Sequence, residues 1–323
     1  MKSFGIWYRK NSEYGEISEE TYVSDLHINL WDMKEKRGGN SKPFLDIGFN
    51  IKGFRKFKEI YVQIPFWVER DNILDLTSKL KASTVSNLVF NDDCTYKENA
   101  NVAALKVGEE DENARLLYPL LTESEIDNSK KDITMIKMNL EEIGSDPDTE
   151  DYSDLYIRFR IQSEKIKEEL FCNIKKKNWF LESGFVRTQI IDIKVNKQRN
   201  MNRDCLREMK RKGFELLSFQ KIHLLVIEPA NSDVDILGED FLECRKLEEE
   251  WKNYLYGEKL VEDMLAYHWK VSAKKERPLK EYGKTVKVTS ASTSWKIIFI
   301  YIAVVILIGI VTNAIFTVIS NLF

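Results

Sequence analysis

Cysteine and histidine are scarce in this 323-residue chain: four cysteines (Cys94, Cys172, Cys205, Cys244) and three histidines (His27, His223, His268). No two cysteines stand as CxxC and no histidine falls at zinc-finger spacing, which argues against a structural zinc site. Isolated thiols in a chain of this length fit a reducing compartment. The start, MKSFGIWYRKNSEYGE, lacks an apolar h-region, so no secretory leader is expected. A P-loop, GxSxG, HExxH and GxGxxG are all missing, and no internal repeat has a fixed period. No catalytic set, metal ion or cofactor is expected, and the chain reads as a non-enzyme. His27 and His223 each sit in a strand pattern and read as core or surface histidines.

The longest absence is of charge. Residues 297–319, IIFIYIAVVILIGIVTNAIFTVI, carry none. At ~1.5 Å per residue this run crosses a hydrocarbon core of ~30 Å. Lys270, Lys274, Lys275, Arg277, Lys280, Lys284, Lys287 and Lys296 precede it and nothing basic follows. The positive-inside rule then places the body in the cytoplasm and Phe323 at or beyond the far face of the cell inner membrane. One helical face of the span carries Ile306, Gly309 or Ile310, Asn313, Thr317 and Ser320. Small and polar residues on one face favour helix association in lipid, and a ring of such helices would line a pore.

What remains is globular. Hydrophobic residues make up 43% of the chain and charged ones 31%, too apolar a mixture for disorder. The fold class expected is α+β: a β-rich cytoplasmic body with a long helix leading to a single C-terminal transmembrane helix. FGIWYR (4–9), 22–31, 44–54 and 59–68 alternate apolar and polar residues, as strands with one wet face do. A hairpin or short loop is expected near Gly53, a short helix after Asp71, and strands at LVFND and VAALKV. Residues 109–154 are acidic, and GSDPDTED (144–151) reads as a boundary. DLYIRFRIQ (154–162), TQIIDIKVN (188–196) and KIHLLVIEP (221–229) read as strands, and RDCLREMKRKG (203–213) as a helix. Residues 240–269 show heptad-like spacing and read as a stalk helix or a helix packed on its own domain. The expected divisions are a β-rich domain at 1–150, an α/β portion at 151–239, stalk and basic linker at 240–294, and the tail at 295–323.

The strongest binding signal is a basic run at 175–212. It holds Lys175, Lys176, Lys177, Arg187, Lys194, Lys197, Arg199, Arg203, Arg207, Lys210 and Arg211, with Trp179 interleaved. Cations neutralise phosphates and aromatic faces stack bases, so these residues are candidates for a nucleotide or single-stranded DNA ligand. Solvated faces complementing the acidic region are the alternative. GGNSKPFLDIGF (38–49) approaches a nucleotidyltransferase pattern. The second carboxylate after Asp46 falls at Gly48, however, so two cations cannot be held. The acids of NSDVDILGED (231–240) suit a helix N-terminus better than a metal.

The tail at 297–319 together with the basic run at 175–212 resembles the layout of membrane effectors of bacterial anti-phage defence systems, the Hailong-type transmembrane effector being the nearest case. The resemblance is architectural and carries over no functional residue. It implies a ligand-gated channel or membrane-disrupting homo-oligomer, a tetramer by preference, regulated by a nucleotide or oligonucleotide bound to the body. A membrane-tethered nucleic-acid-processing enzyme and a protein-recruiting adaptor are the competing expectations.

Overall fold

Strict alternation becomes a two-faced sheet. In the computed structural model, the described residues are 2–14, 22–33, 43–99, 102–108, 114–174, 186–236, 243–255, 263–274, 277–291 and 295–321. Four strands carry the alternation furthest: Val23–Trp31, Phe44–Lys52, Asp154–Gln162 and Ser218–Pro229. They lie side by side in a ten-stranded sheet, with 44–52 antiparallel to both 23–31 and 154–162, and 218–229 parallel to 23–31. Met264–Ser272 pairs antiparallel with the outer side of 218–229.

Leu26, Ile28, Leu30, Ile47, Phe49, Ile157, Phe159, Ile222, Leu224 and Val226 point to one face and are almost fully buried. They share a core with Ile6, Ile60, Val62 and Ile136 of a five-stranded sheet and with Ile191, Ile193, Val286 and Val288 of a four-stranded one. At about 1.5–3 kcal/mol for each large apolar side chain removed from water, this shared core is the main stabilising element of the body. Helix Arg203–Arg211 closes the far side of the five-stranded sheet. Its Cys205 and Met209 pack with Trp7, Ile133, Met135 and Phe214. Asn202 caps it, accepting from the amides of Asp204 and Cys205 at 3.1 and 3.0 Å.

The mixed α+β, strand-rich class and the apolar C-terminal helix are as expected. Several local expectations are corrected. The stalk helix over 240–269 is replaced, in its described parts, by strand Glu243–Lys246, the one-turn helix Trp251–Tyr254 and strand Met264–Ser272. Its apolar residues at steps of three and four are spent instead on a sheet edge and on a cluster around Trp251 and Tyr254. The basic linker holds strand Tyr282–Ala291, paired along its whole length with Val186–Val195.

Gly53, at φ 59°, turns the chain between sheets and makes a short loop, since 44–52 and Phe57–Ile64 belong to different sheets. After Asp71 come strand Ile73–Asp75 and a 3-10 turn, and LVF ends helix Ser83–Phe90. Residues 232–236 form a strand against 282–291, with Asp235 paired to Lys287 at 2.7 Å, and no helix start. No two-domain division falls near residue 150. Strands from both sides of that point pair within the ten-stranded sheet, and Arg55 donates to the Thr149 and Tyr152 carbonyls.

Candidate functional site

The second face of the ten-stranded sheet is polar, and most of it is buried. Its middle strands present Asp25, His27 and Asn29; Asp46, Gly48 and Asn50; Tyr156, Arg158 and Arg160; and Lys221 and His223. Register aligns Arg158, Gly48, His27, His223 and Lys270 across five strands. A parallel row holds Tyr156, Asn50, Asp25 and Lys221. A third holds Arg160, Asp46, Asn29, Leu225 and His268. Helix Ser83–Phe90 and the turn Trp251–Tyr254 pack on this face through an apolar cluster, while the hairpin of Cys94–Asn99 and Val102–Val107 and strand Glu243–Lys246 continue the same sheet toward its two ends. They leave a cavity of about 440 Å³ above the three rows. That is within the ~300–1,000 Å³ of small-molecule sites.

Gly48 is what lets the floor close. A Cβ there would stand 2.6 Å from the Tyr156 hydroxyl and 3.1 Å from Arg158 Nη1. Tyr156 and Arg158 reach over the glycine, and the Tyr156 hydroxyl meets His27 Nδ1 at 3.3 Å.

Beneath the cavity lies a buried ionic network. Asp46 accepts from Arg160 Nε and Nη2 (2.7 and 3.0 Å), from the Tyr254 hydroxyl (2.7 Å) and from Trp31 Nε1 (3.0 Å). Arg160 also stacks on the Phe44 ring at 4.1 Å. Asp46 therefore neutralises Arg160 and is saturated by donors.

Among the described residues Arg158 has no such partner. It is 1% exposed, yet its contacts are the Tyr254 hydroxyl (2.7 Å from Nε), the Tyr156 hydroxyl (3.1 Å from Nη1) and the Asn29 amide oxygen (2.8 Å from Nη2). All three are neutral, and they use three of five N–H donors. Burial opposes its charge, but the Tyr254, Tyr156 and Asp46 oxygens raise its pKa, so it stays charged. The floor thus holds a desolvated cation, and Asp46, the carboxylate that acts on it electrostatically, is already bonded to Arg160.

All three histidines of the chain converge on the same cavity. His223 Nδ1 and His268 Nε2 are 3.0 Å apart, and the His27 and His223 ring centroids are 5.0 Å apart. Burial lowers the pKa of each. His223 falls to about 4, with His268 and Lys270 adding to the effect of burial. His27 falls well below 6.5, with His223 and Arg158 adding to burial. His268 falls by burial, with Glu243 opposing. At neutral pH they are uncharged donor–acceptor rings. No three His, Cys, Asp or Glu side chains among the described residues are arranged to hold a metal ion. Around the rim stand Arg115 over the Phe90 ring at 5.3 Å, Arg245 paired to Glu248 at 3.0 Å, and the exposed Lys221 and Lys270. Asp92 and Glu243 also line it.

The basic run expected to bind ligand lies elsewhere. Lys175, Lys176, Lys177 and Trp179 fall outside the described residues. Arg187 donates to Asn173 at 3.0 and 2.9 Å, Lys194 pairs with Asp192 at 2.5 Å and Lys197 with Glu281 at 2.7 Å. Arg199, Arg203, Arg207, Lys210 and Arg211 are exposed on and beside helix 203–211, and none of these described cations lines the cavity. In the tail, the Thr317 and Ser320 hydroxyls donate to the carbonyls of Asn313 and Thr317 (2.9 and 3.0 Å). Ile306, Gly309, Ile310 and Asn313 share helix Trp295–Ser320, whose apolar stretch Ile298–Ser320 has no buried residue in its most apolar window.

The cavity residues were signalled only faintly. Alternation marked their strands, but a polar residue on a strand reads as solvent-facing. What separates these faces is their chemistry: Asp, His, Asn, Tyr and Arg in place of the Lys, Glu and Thr of an ordinary wet face. Lys270 was counted with the membrane-proximal cations, whereas it belongs to strand 264–272 and lines the cavity. No protein-family model matches the chain, and no curated protein matches it.

Proposed function

We propose that the chain is a membrane-anchored binding protein whose body takes a small phosphate-bearing anion in the histidine-lined cavity. The observation that carries this reading is Arg158, a buried guanidinium in the lining of a roomy cavity, with neutral partners and two N–H groups unused among the described residues. An unpaired buried charge is costly, and an incoming anion relieves it. Lys221, Lys270 and Arg115 raise the local potential, and neutral histidines donate without repelling. The C-terminal helix anchors the body to the inner membrane on its cytoplasmic side.

In this reading the spans of several copies pack together, a tetramer by preference, and ligand state biases their arrangement as in a membrane effector of antiviral defence. The Asn313 side chain supports association: among the described residues its amide has no hydrogen-bond partner, while neighbouring hydroxyls are satisfied within the helix. The deciding experiment is isothermal titration of full-length protein in detergent with inorganic phosphate and pyrophosphate, at low and high salt. Saturable binding that weakens with salt, and that falls roughly tenfold in Lys221→Glu with Lys270→Glu, is expected. Absence of saturable binding by either anion would end the proposal.

A further inference from the structure

One part of the cavity wants the opposite of an anion. Asp25 and Asn50 are directly paired across adjacent strands, line the cavity, and are 9% and 2% exposed. Each uses one end of its side chain: Asp25 Oδ2 meets Lys52 at 3.2 Å, and Asn50 Nδ2 donates to Asp154 at 3.4 Å. Their other oxygens, Asp25 Oδ1 and Asn50 Oδ1, are buried with no hydrogen-bond donor among the described residues. Two buried acceptors side by side, both orphaned, are rare in folded proteins and mark a place where a donor belongs. The dianionic phosphate of an ester cannot serve, since it has no O–H to donate and its charge would face the Asp25 carboxylate.

These oxygens stand two residues along the strands from the row of Arg158, His27 and His223, about 7 Å at the rise of a β-strand. The cavity therefore has the Arg158 row at one position and, about 7 Å along the strands, an acceptor pair flanked by the exposed Lys221. The half-buried Phe90 and the buried Trp251 line the wall as flat apolar surfaces.

We infer that the ligand is a phosphate ester carrying an amino group on a flat ring, of the class of amino-nucleotides, with phosphate toward Arg158 and N–H donors toward Asp25 and Asn50. This rests on the anion-binding reading above and adds to it the polarity of the other end. Leaving an acceptor pair unfilled costs each competing ligand that lacks the donor, so the amino group becomes the specificity element.

The test compares matched pairs on full-length protein in detergent: adenosine 5'-monophosphate against purine riboside 5'-monophosphate, and cytidine 5'-monophosphate against its 4-deamino analogue, with inorganic phosphate as reference. In at least one pair the amino compound is expected to bind roughly tenfold tighter or more. In Asn50→Leu the gap should close to under about threefold while phosphate affinity holds. Equal affinity within both pairs on the unmutated protein overturns the inference, whether or not Asn50→Leu folds. Phosphate binding would then leave the anion site standing, whereas failure of phosphate and all four nucleotides removes both proposals together.

Discussion

Two regions of the molecule are rich in cations, and they differ in what those charges face. Along 187–212 the cations follow one another in sequence but spread over a strand and a helix. Several already have partners: Lys194 with Asp192, Lys197 with Glu281, Lys212 with Glu208. Around the cavity the cations come from distant parts of the chain, Arg115, Arg158, Lys221 and Lys270. Arg158 has only neutral contacts, and neither lysine has an acidic partner within 4 Å among the described residues. Charge density along a chain is not convergence in space. A charge held in a dry floor also acts through a lower effective dielectric than one in water, so the buried Arg158 counts for more than any one of the nine dispersed cations of 187–212.

The largest expected effect comes from the ionic floor. Asp46→Ala leaves Arg158 and Arg160 together with no carboxylate and should cost about 3–5 kcal/mol in urea denaturation of the detergent-solubilised chain. Lys197→Ala, which removes a half-exposed pair on the other region, should cost no more than about 1 kcal/mol. If the two variants lose equal stability, the distinction between buried and solvated charge is wrong for this protein. Next comes Gly48→Val. The added side chain drives into the Tyr156 hydroxyl and Arg158, and overpacking of this kind costs about 1–3 kcal/mol. Phosphate binding should be lost with it, because the guanidinium is displaced. A Gly48→Val protein that binds phosphate as the parent does would show that Arg158 is not the anchor.

How far the comparison could be foreseen depends on which physical property each region uses. The apolar face of the large sheet was legible, since Leu26, Ile28 and Leu30 must share a side at period two, and so was the span, which needs only length and lack of charge. The polar face was legible as alternation but not as a site. Nothing local in DLHINLW, LDIGFNI or LYIRFRI says that three strands far apart in the chain lie adjacent, or that helix 83–90 covers them. Gly48 illustrates the limit: as a missing carboxylate it ruled out a metal pair, and only the register with Arg158 shows that its lack of a side chain makes room. The heptad-like spacing of 240–269 misled for a related reason. Trp251 and Tyr254 are three apart because one helical turn presents both to Trp31 and Arg158, and the flanking residues pair as strands.

Charge reversal tests the comparison directly. Lys221→Glu with Lys270→Glu should weaken phosphate binding roughly tenfold, by turning local attraction into repulsion. Arg207→Glu with Arg211→Glu on the exposed helix should change it by less than about twofold. Both pairs are exposed, so stability should stay within about 0.5 kcal/mol in each. Equal losses of affinity from the two double variants would move the ligand back to the basic run at 175–212.

The smallest expected effect is on pH dependence, and it separates the regions by the pH window in which stability is lost. The cavity histidines are held neutral by burial, with Arg158, Arg115, Lys221, Lys270 and Arg245 adding to it and Asp25 and Glu243 opposing. In an unfolded chain they titrate near 6.5. Between that value and about 4, where His223 protonates in the folded body, the unfolded chain binds more protons than the folded one. Stability from these groups is therefore complete above about pH 6.5 and is lost as the pH falls toward 4. Glu208 beside Lys130 and Lys212 behaves differently. Its pKa is pushed down to about 2 by those hydrogen bonds, so its contribution persists until more acidic pH. The histidine effect is modest because His223 and His268 are only half-buried and water screens part of the charge. His223→Gln should flatten the stability profile between pH 6.5 and 4 and leave the more acidic limb unchanged. Bound phosphate should flatten the same window in the parent, because an anion beside the rings restores their affinity for protons. A profile that keeps its slope through that window in both cases would place the histidines outside the site's electrostatics.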